Sequence, residues 1–293
     1  MVLVAATLFG ANGSVAKVAL SSGLTSLRLT EARCAGAFVG LALIAAVRPR
    51  TSRRATPREL ARLALFGVVG VALVQLFYFL AIHRLAIGIA LLIQYLGPLL
   101  VAIYARAFGR EPVRRRIWLA LGCSLAGLAL MVELWNGAAL DGLGVAFALV
   151  SAVVFAAYLL LAEREAGRRD PVSLMAWGFF FATVFWSVAQ PWWSFPAGRV
   201  GDVVTLQGRL AGWHLPVWAL VLWVVVVGSI VPFTLVVGAL RHVSATRVGI
   251  AAMLEPVVAT VVAWAWLGES LAPVQLAGAA VVLVAIALAQ TAR

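Results

Sequence analysis

Charged residues are scarce in this sequence. Only 12% of its 293 residues are Asp, Glu, Lys or Arg, whereas 64% are hydrophobic and the mean hydropathy is +1.04. A typical soluble domain carries about 25% charged residues. The composition therefore excludes an ordinary soluble fold and indicates an integral membrane protein.

The motifs that enzymes and ATP-driven proteins need are also missing. The three histidines and two cysteines have no metal-ligand spacing, no G-x-x-x-x-G-K phosphate loop is present, and no nucleophile has an obvious base. Cys34 and Cys123 lie far apart in apolar segments, so we expect two small buried thiols rather than a disulfide or a metal site. We expect no enzyme, no cofactor and no metal.

Acidic residues are few as well, because 11 Asp and Glu stand against 23 Lys and Arg, and the only lysine is Lys17. In a soluble protein such a basic excess indicates nucleic acid, but this requires arginines on one solvated face of a folded body. Here the arginines form short clusters between apolar runs. We therefore expect no nucleic-acid partner.

Ten apolar runs are long enough to cross a bilayer, which needs about 20 helical residues. The runs are continuous and do not alternate, so they predict an all-α fold of ten transmembrane helices and not a barrel. The first run follows Met1 without a basic leader or cleavage site, so we expect a first span rather than a cleaved signal peptide. The predicted spans are 2–20, 29–47, 61–82, 86–107, 117–134, 142–162, 172–191, 215–239, 244–267 and 272–290.

The arginine clusters fall in every second loop. They occupy 48–62, 106–116, 164–169 and 241–247, which all lie on one side of the membrane if ten spans are crossed. The positive-inside rule makes this side cytoplasmic. We expect a multi-pass protein of the plasma (inner) membrane with both termini in the cytoplasm, and a long tryptophan-edged loop, 192–214, on the outer face.

The chain also contains an internal repeat. HRLAIGIALLIQYLGPLLVAIYARAFGRE (83–111) aligns without a gap on RHVSATRVGIAAMLEPVVATVVAWAWLGE (241–269), and residues 3–12 match 149–158 with another offset. Five spans per half is an odd number, so the halves 1–134 and 142–293 cross the membrane in opposite directions. This predicts two inverted five-helix repeats, an arrangement that many secondary transporters share.

Several of these segments resemble the drug/metabolite transporter superfamily, and within it the EamA-type proteins of two five-helix repeats. They are FGANGSVAK in the first span, LRLTEAR in the second, and the Pro-to-Glu block of each repeat, extended by LEPVVATVVAWAWLGESLAPVQLAGAAVVL. SGLTSLRL and GIALLIQYLGPL are similar to the threonine/homoserine exporter branch, in which we expect an acidic residue where this chain has Gln94.

The resemblance implies a ten-helix bundle with a central cavity that moves a small polar solute by alternating access. An exporter of amino acids or related metabolites is the function we expect, driven by protons or a solute gradient, or passive. The alternatives are a drug, nucleoside or sugar-type carrier of the same fold, and a membrane sensor or scaffold. The oligomeric state stays open.

Glu255 is the deepest ionisable residue of the predicted spans, near the middle of the ninth. A charge at this depth costs about 2.5–3.5 kcal/mol on insertion scales, so it needs a reason. Pro256 follows it, and Pro98 takes the matching place in the first repeat. Each proline should bend its helix or free a carbonyl there. Glu255 is predicted to bind a substrate ammonium or carry a proton; a structural carboxyl is the alternative.

Uncharged polar residues in the spans are candidates for lining a cavity with hydrogen bonds and little charge. For each of them, a hydrogen bond between helices is the alternative explanation. Gln75 and Tyr78 share one helix face. With Glu255, the full set of candidate substrate-binding residues is Asn12, Ser14, Lys17, Arg33, Gln75, Tyr78, Gln94, Tyr95 and Tyr158.

The remaining charges lie nearer the ends of the spans. Lys17 completes a small polar stripe with Gly10, Gly13 and Ser14. It either snorkels to the headgroups or faces the cavity, where it would meet a substrate carboxylate or a carboxylate gate. Arg33 has the same two options, and it points about 200° away from Glu31, so the two cannot readily share a partner. The last candidates, as helix-boundary or gate residues, are Glu111 and Glu269.

Overall fold

The computed structural model describes residues 1–47, 55–108, 113–135 and 141–291. Within them, ten helical spans form the bundle, which confirms the predicted all-α membrane fold. Nine have at least 18 residues and are long and apolar enough to cross a membrane; the fifth has 17. Spans 1 to 10 are Val2–Leu20, Ser26–Val47, Pro57–Ile82, Ile87–Ala107, Arg115–Met131, Gly142–Ala166, Pro171–Ala189, Val217–Leu240, Ala245–Leu267 and Pro273–Thr291.

Capping side chains explain why spans 2 and 3 begin earlier than their apolar runs. Span 3 begins at Pro57 because Thr56 accepts a hydrogen bond from the Glu59 N–H and the Glu59 side chain accepts one from the Thr56 N–H. Such a capping box satisfies backbone donors that the first helical turn leaves free. Span 2 begins at Ser26 because Thr25 Oγ1 accepts a hydrogen bond from the Arg28 N–H at 3.2 Å, so its first turn includes polar residues that precede the apolar run.

Several spans are interrupted. Span 4 consists of Ile87–Gln94 and Gly97–Ala107, and the first two helical pieces of span 9 are Ala245–Ala252 and Leu254–Val262. Each second piece has Pro98 or Pro256 in its first turn, and a proline removes the N–H that would bond four residues back. The π-helical stretches Phe66–Leu73, Val226–Ile230 and Ala263–Leu267 interrupt spans 3, 8 and 9.

Small residues let the spans approach closely. A Cβ added to Gly278 of span 10 would stand 2.8 Å from the Met131 backbone nitrogen, so spans 5 and 10 pack almost backbone to backbone. Such contacts replace the hydrophobic driving force that is lost in lipid. Two larger buried clusters form the core: one centres on Leu41, Phe66 and Phe179, and the other joins spans 4, 5, 9 and 10.

The two ends of the bundle differ. We call the end that holds Leu20, Ser26 and Leu267 the loop end, because the long segment 190–216 lies there. That segment is ordered: strands β1 (Val203–Thr205) and β2 (His214–Pro216) pair antiparallel. We call the opposite end the arginine end. The arginines at 48, 50, 53, 54 and 110, and Glu111, fall outside the described residues.

Candidate functional site

The two interrupted spans cross where they are interrupted. A Cβ on Gly249 of span 9 would stand 2.8 Å from Pro98 Cβ of span 4, so the two helices touch beside both interruptions. Pro256 has no N–H for the carbonyl of Ala252, four residues before it. Tyr95 of span 4 supplies the missing donor, because its hydroxyl donates to Ala252 O at 3.2 Å.

The same hydroxyl is within hydrogen-bond distance of the Glu255 carboxylate. Tyr95 Oη lies 3.1 Å from Glu255 Oε2. A tyrosine has one hydroxyl hydrogen, so it donates to only one acceptor at a time. With Glu255 ionised, Tyr95 donates to the carboxylate or to Ala252. With Glu255 protonated, the carboxyl donates to Tyr95 Oη, and the tyrosine proton stays with Ala252. The charge of Glu255 is thus linked to the hydrogen bond at the interruption of span 9.

Arg33 and Tyr78 are two further side chains near Glu255. Together we call Arg33, Tyr78, Tyr95 and Glu255 the Glu255 site. Arg33 of span 2 and Tyr78 of span 3 both interact electrostatically with the Glu255 carboxylate. The site therefore takes one residue from each of spans 2, 3, 4 and 9. It brings together four of the ten substrate-binding residues predicted from the sequence.

The other predicted polar residues lie around this site or away from it. Gln75 donates to Val71 O of its own helix at 3.2 Å, and its Oε1 is buried without a partner. Asn12 is buried against Gly228 of span 8, and its Oδ1 also has no hydrogen-bond partner. Ser14 is buried and Gln94 half-buried. None of these four makes a hydrogen bond to the Glu255 site among the described residues.

Tyr158 belongs to an aromatic cluster that sequence reasoning did not predict. Its ring stacks on Phe155 at 6.3 Å and on Phe66 at 5.9 Å, and meets Phe233 edge-on at 6.1 Å. Phe155 also meets Tyr95 edge-on at 6.0 Å. The cluster thus joins the Glu255 site to spans 3, 6 and 8. A phenylalanine in an apolar run gives no sequence signal that separates such a role from ordinary packing.

At the loop end, Lys17 pairs with Glu269. Lys17 Nζ lies 2.8 Å from Glu269 Oε1, and the two side chains are 59% and 50% exposed. Span 9 ends at Leu267, and the chain turns at Gly268, whose φ is 75°, just before Glu269. The predicted stripe on span 1 is only partly interior: Gly10 and Ser14 are buried, whereas Gly13 and Lys17 are exposed. Lys17 thus meets a carboxylate from the second half of the chain, and its role as a snorkelling or cavity-facing residue stays a prediction.

Arg28, also at the loop end, was not among the candidates. Arg28 donates to Glu31 Oε2 at 2.6 Å and to Ser194 Oγ at 2.6 Å. It therefore ties span 2 to the ordered segment 190–216. Its spacing of three residues from Glu31 is the sequence signal, because residues three apart share a helix face.

A cavity of about 420 Å³ is lined in part by Pro256 and lies between spans 4, 5, 9 and 10. Its walls are largely apolar, and Glu133, Thr260 and Gln275 contribute polar atoms. None of the ten predicted substrate-binding residues lines it. Among the described residues, no group of three or more His, Cys, Asp or Glu is placed to hold a metal ion.

Comparisons with known proteins agree with this architecture. The model of the EamA-like transporter family matches residues 1–133 and 142–291. The threonine/homoserine exporter RhtA of Escherichia coli (strain K12) is 30% identical over 255 residues, which are 87% of this chain and 76% of RhtA. An uncharacterized transporter of Archaeoglobus fulgidus is 29% identical over 79% of this chain and 76% of its own. One solved structure, 17% identical, has the same fold, with a TM-score of 0.76 over 98% of this chain and 94% of that one.

Proposed function

This chain belongs to the EamA-like transporter family, and from that premise we propose that it exports a small zwitterionic metabolite of the amino-acid type. It is a multi-pass membrane transporter and not an enzyme. The finer assignment, to amino acids and to export, is the proposal.

The contact between Tyr95 and Glu255 carries the proposal. It lies where the two interrupted spans cross, near the middle of span 9. Secondary transporters place their substrate sites near the bilayer midplane, at discontinuous helices from the two halves. A carboxylate at this depth needs a compensating partner. The ammonium of an amino acid is a suitable one, and protons are the candidate coupling ion.

The relative RhtA supports the substrate class. Its name states threonine and homoserine export, and its identity with this chain extends over 87% of the residues. Both amino acids carry an ammonium, a carboxylate and a hydroxyl group. The arrangement of Tyr78, Tyr95 and Glu255 offers hydrogen bonds and one negative charge, which suits such a solute better than a large apolar drug.

Alternating access needs contacts that open and close at both ends. The ion pair of Lys17 with Glu269 is the candidate at the loop end, since it joins span 1 to the end of span 9. The arginine clusters support a cytoplasmic arginine end and cytoplasmic termini. The odd number of spans in each half supports inverted repeats over 1–134 and 142–293.

Export from preloaded vesicles tests the proposal. Proteoliposomes loaded with labelled threonine or homoserine should release it faster with the wild-type protein than without protein. Glu255→Gln should abolish this release, because the amide keeps the shape and one acceptor oxygen but removes the charge. Glu59→Gln is the matched control, since glutamine also completes a capping box. Unchanged release by Glu255→Gln would contradict the role of Glu255, and no release by the wild type would contradict the substrate class.

A further inference from the structure

We propose that Arg33 binds the carboxylate of the solute in the Glu255 site, so that the site accepts solutes that carry an anionic group beside their ammonium. This inference rests on the proposed function and deepens it. It makes Arg33 the residue that distinguishes an amino acid from an amine of the same carbon skeleton.

Arg33 has no local partner. None of the hydrogen bonds or ion pairs among the described residues involves its guanidinium, and its Nε is buried without an acceptor. The residue lies within span 2, where a cation is costly unless it is paired or reaches water. A buried N–H without an acceptor is costly too. The sequence therefore keeps at this position a charge that no contact among the described residues compensates.

Glu31, the acidic residue nearest to Arg33 in the sequence, already has a partner. Glu31 pairs with Arg28 at 2.6 Å, and Arg28 also donates to Ser194 and to the Pro191 carbonyl at the loop end. Glu31 and Arg33 are two residues apart and so point about 200° away from each other. Span 2 thus has two arginines with different roles. Arg28 fastens the helix to segment 190–216, and Arg33 faces the interior.

Glu255 is the charge that Arg33 does face. The two interact electrostatically, yet they do not form an ion pair, which would require an N···O distance of 4.0 Å or less. Because the two charges attract without a direct contact, one bound molecule that bears both charges would pair with each of them. An amino acid carries its ammonium and carboxylate on one carbon atom, so its ammonium fits Glu255 while its carboxylate fits Arg33. Tyr95 is within hydrogen-bond distance of Glu255, and Tyr78 interacts with it electrostatically.

The chemistry of arginine fits this role. Its planar guanidinium binds a carboxylate through two parallel hydrogen bonds, which a lysine ammonium does not reproduce. A charge-assisted pair in a dry site also contributes more to binding than a neutral one. Because Arg33 comes from the first half and Glu255 from the second, one bound zwitterion would connect the two halves.

Ligand binding to the purified full-length protein tests the inference. The two ligands are threonine and threoninol, which keeps the ammonium and replaces the carboxylate by an alcohol. Arg33→Gln should weaken threonine binding by about 10-fold or more, the effect of losing one charge-assisted pair. It should leave the affinity for threoninol within about 2-fold. Arg33→Lys should fall between wild type and Arg33→Gln for threonine. The control Arg84→Gln, at an exposed pair with Asp141, should behave as wild type.

Two outcomes would overturn the inference while the proposed function stands: Arg33→Gln binds threonine as tightly as the wild type, or it loses threonine and threoninol equally. If Arg33→Gln does not fold, the wild type alone decides, because it should bind threonine about 10-fold more tightly than threoninol; equal affinities refute the inference. If the wild-type protein neither binds nor exports threonine or homoserine, the proposed function fails and the inference fails with it.

Discussion

Gly10→Ala is the substitution whose effect the structure determines most sharply. Gly10 lies in span 1 against the interruption of span 9. A Cβ at this position would stand 2.6 Å from the Glu255 carbonyl oxygen, 2.8 Å from Val258 Cβ and 2.9 Å from Ala259 N. Two of these three atoms belong to the backbone, so they cannot move aside as a flexible side chain can. We expect the alanine to push span 1 and span 9 apart.

Gly13→Ala is the matched control, because a Cβ on Gly13 would meet nothing within 4 Å. Both substitutions gain the same helix propensity, about 0.5–1 kcal/mol. That gain cancels when the two variants are compared. What remains is the cost of overpacking at Gly10, about 1–3 kcal/mol. Gly10→Ala should therefore be less stable than Gly13→Ala by this amount, which corresponds to a melting temperature lower by roughly 2–12 °C.

The assay is thermal unfolding in detergent followed by tryptophan fluorescence, with threonine release from proteoliposomes as the second measurement. Gly13→Ala should melt at or slightly above the wild-type temperature and export normally. Gly10→Ala should melt lower and export poorly, because moving the Glu255 backbone separates its carboxylate from Tyr95. Equal melting temperatures and equal export in the two variants would refute the close approach of spans 1 and 9.

Three further substitutions test other contacts. Tyr95→Phe removes the donor to Ala252 and Glu255, so we expect a loss of about 1 kcal/mol in unfolding free energy and a marked loss of export; wild-type export would contradict the linkage. Lys17→Arg should export normally because it keeps the ion pair with Glu269. Lys17→Glu should lower export, and the double variant with Glu269→Lys should restore it. The free energy of unfolding should change by less than about 1 kcal/mol in each variant, as at exposed ion pairs. Asp170 caps span 7, because its Oδ1 accepts from the Ser173 N–H at 2.9 Å. Asp170→Ala should therefore cost about 0.5–2 kcal/mol in chemical denaturation, with export per folded molecule unchanged.

The helices follow from the sequence because hydropathy is a local property. Each apolar run that the sequence contains corresponds to one span, and the shifts of their ends come from polar first turns and caps such as Thr56 with Glu59. The strands Val203–Thr205 and His214–Pro216 were not predicted. They are three residues long, and so short a pair has no periodicity that distinguishes it from a loop.

The site was predictable only in part, because contacts between spans are not a local property of the sequence. A charge or a proline inside an apolar run is visible in the sequence, so Glu255, Pro256 and Arg33 were identified as candidates. Which of them meet depends on how the spans pack. Tyr95 was one polar residue among several until the fold placed its hydroxyl beside Ala252 and Glu255. Binding roles for these residues stay predictions.

The position of span 1 has a consequence for biosynthesis. Span 1 packs against spans 8 and 9, and Lys17 is separated from Glu269 by 252 residues. The ribosome therefore delivers the first helix long before the helices that cover it. During this interval Gly10 and Asn12 face lipid or temporary neighbours. A nascent chain that stops before span 8 lacks the helices against which most of span 1 packs, so this packing forms only after those spans have been made.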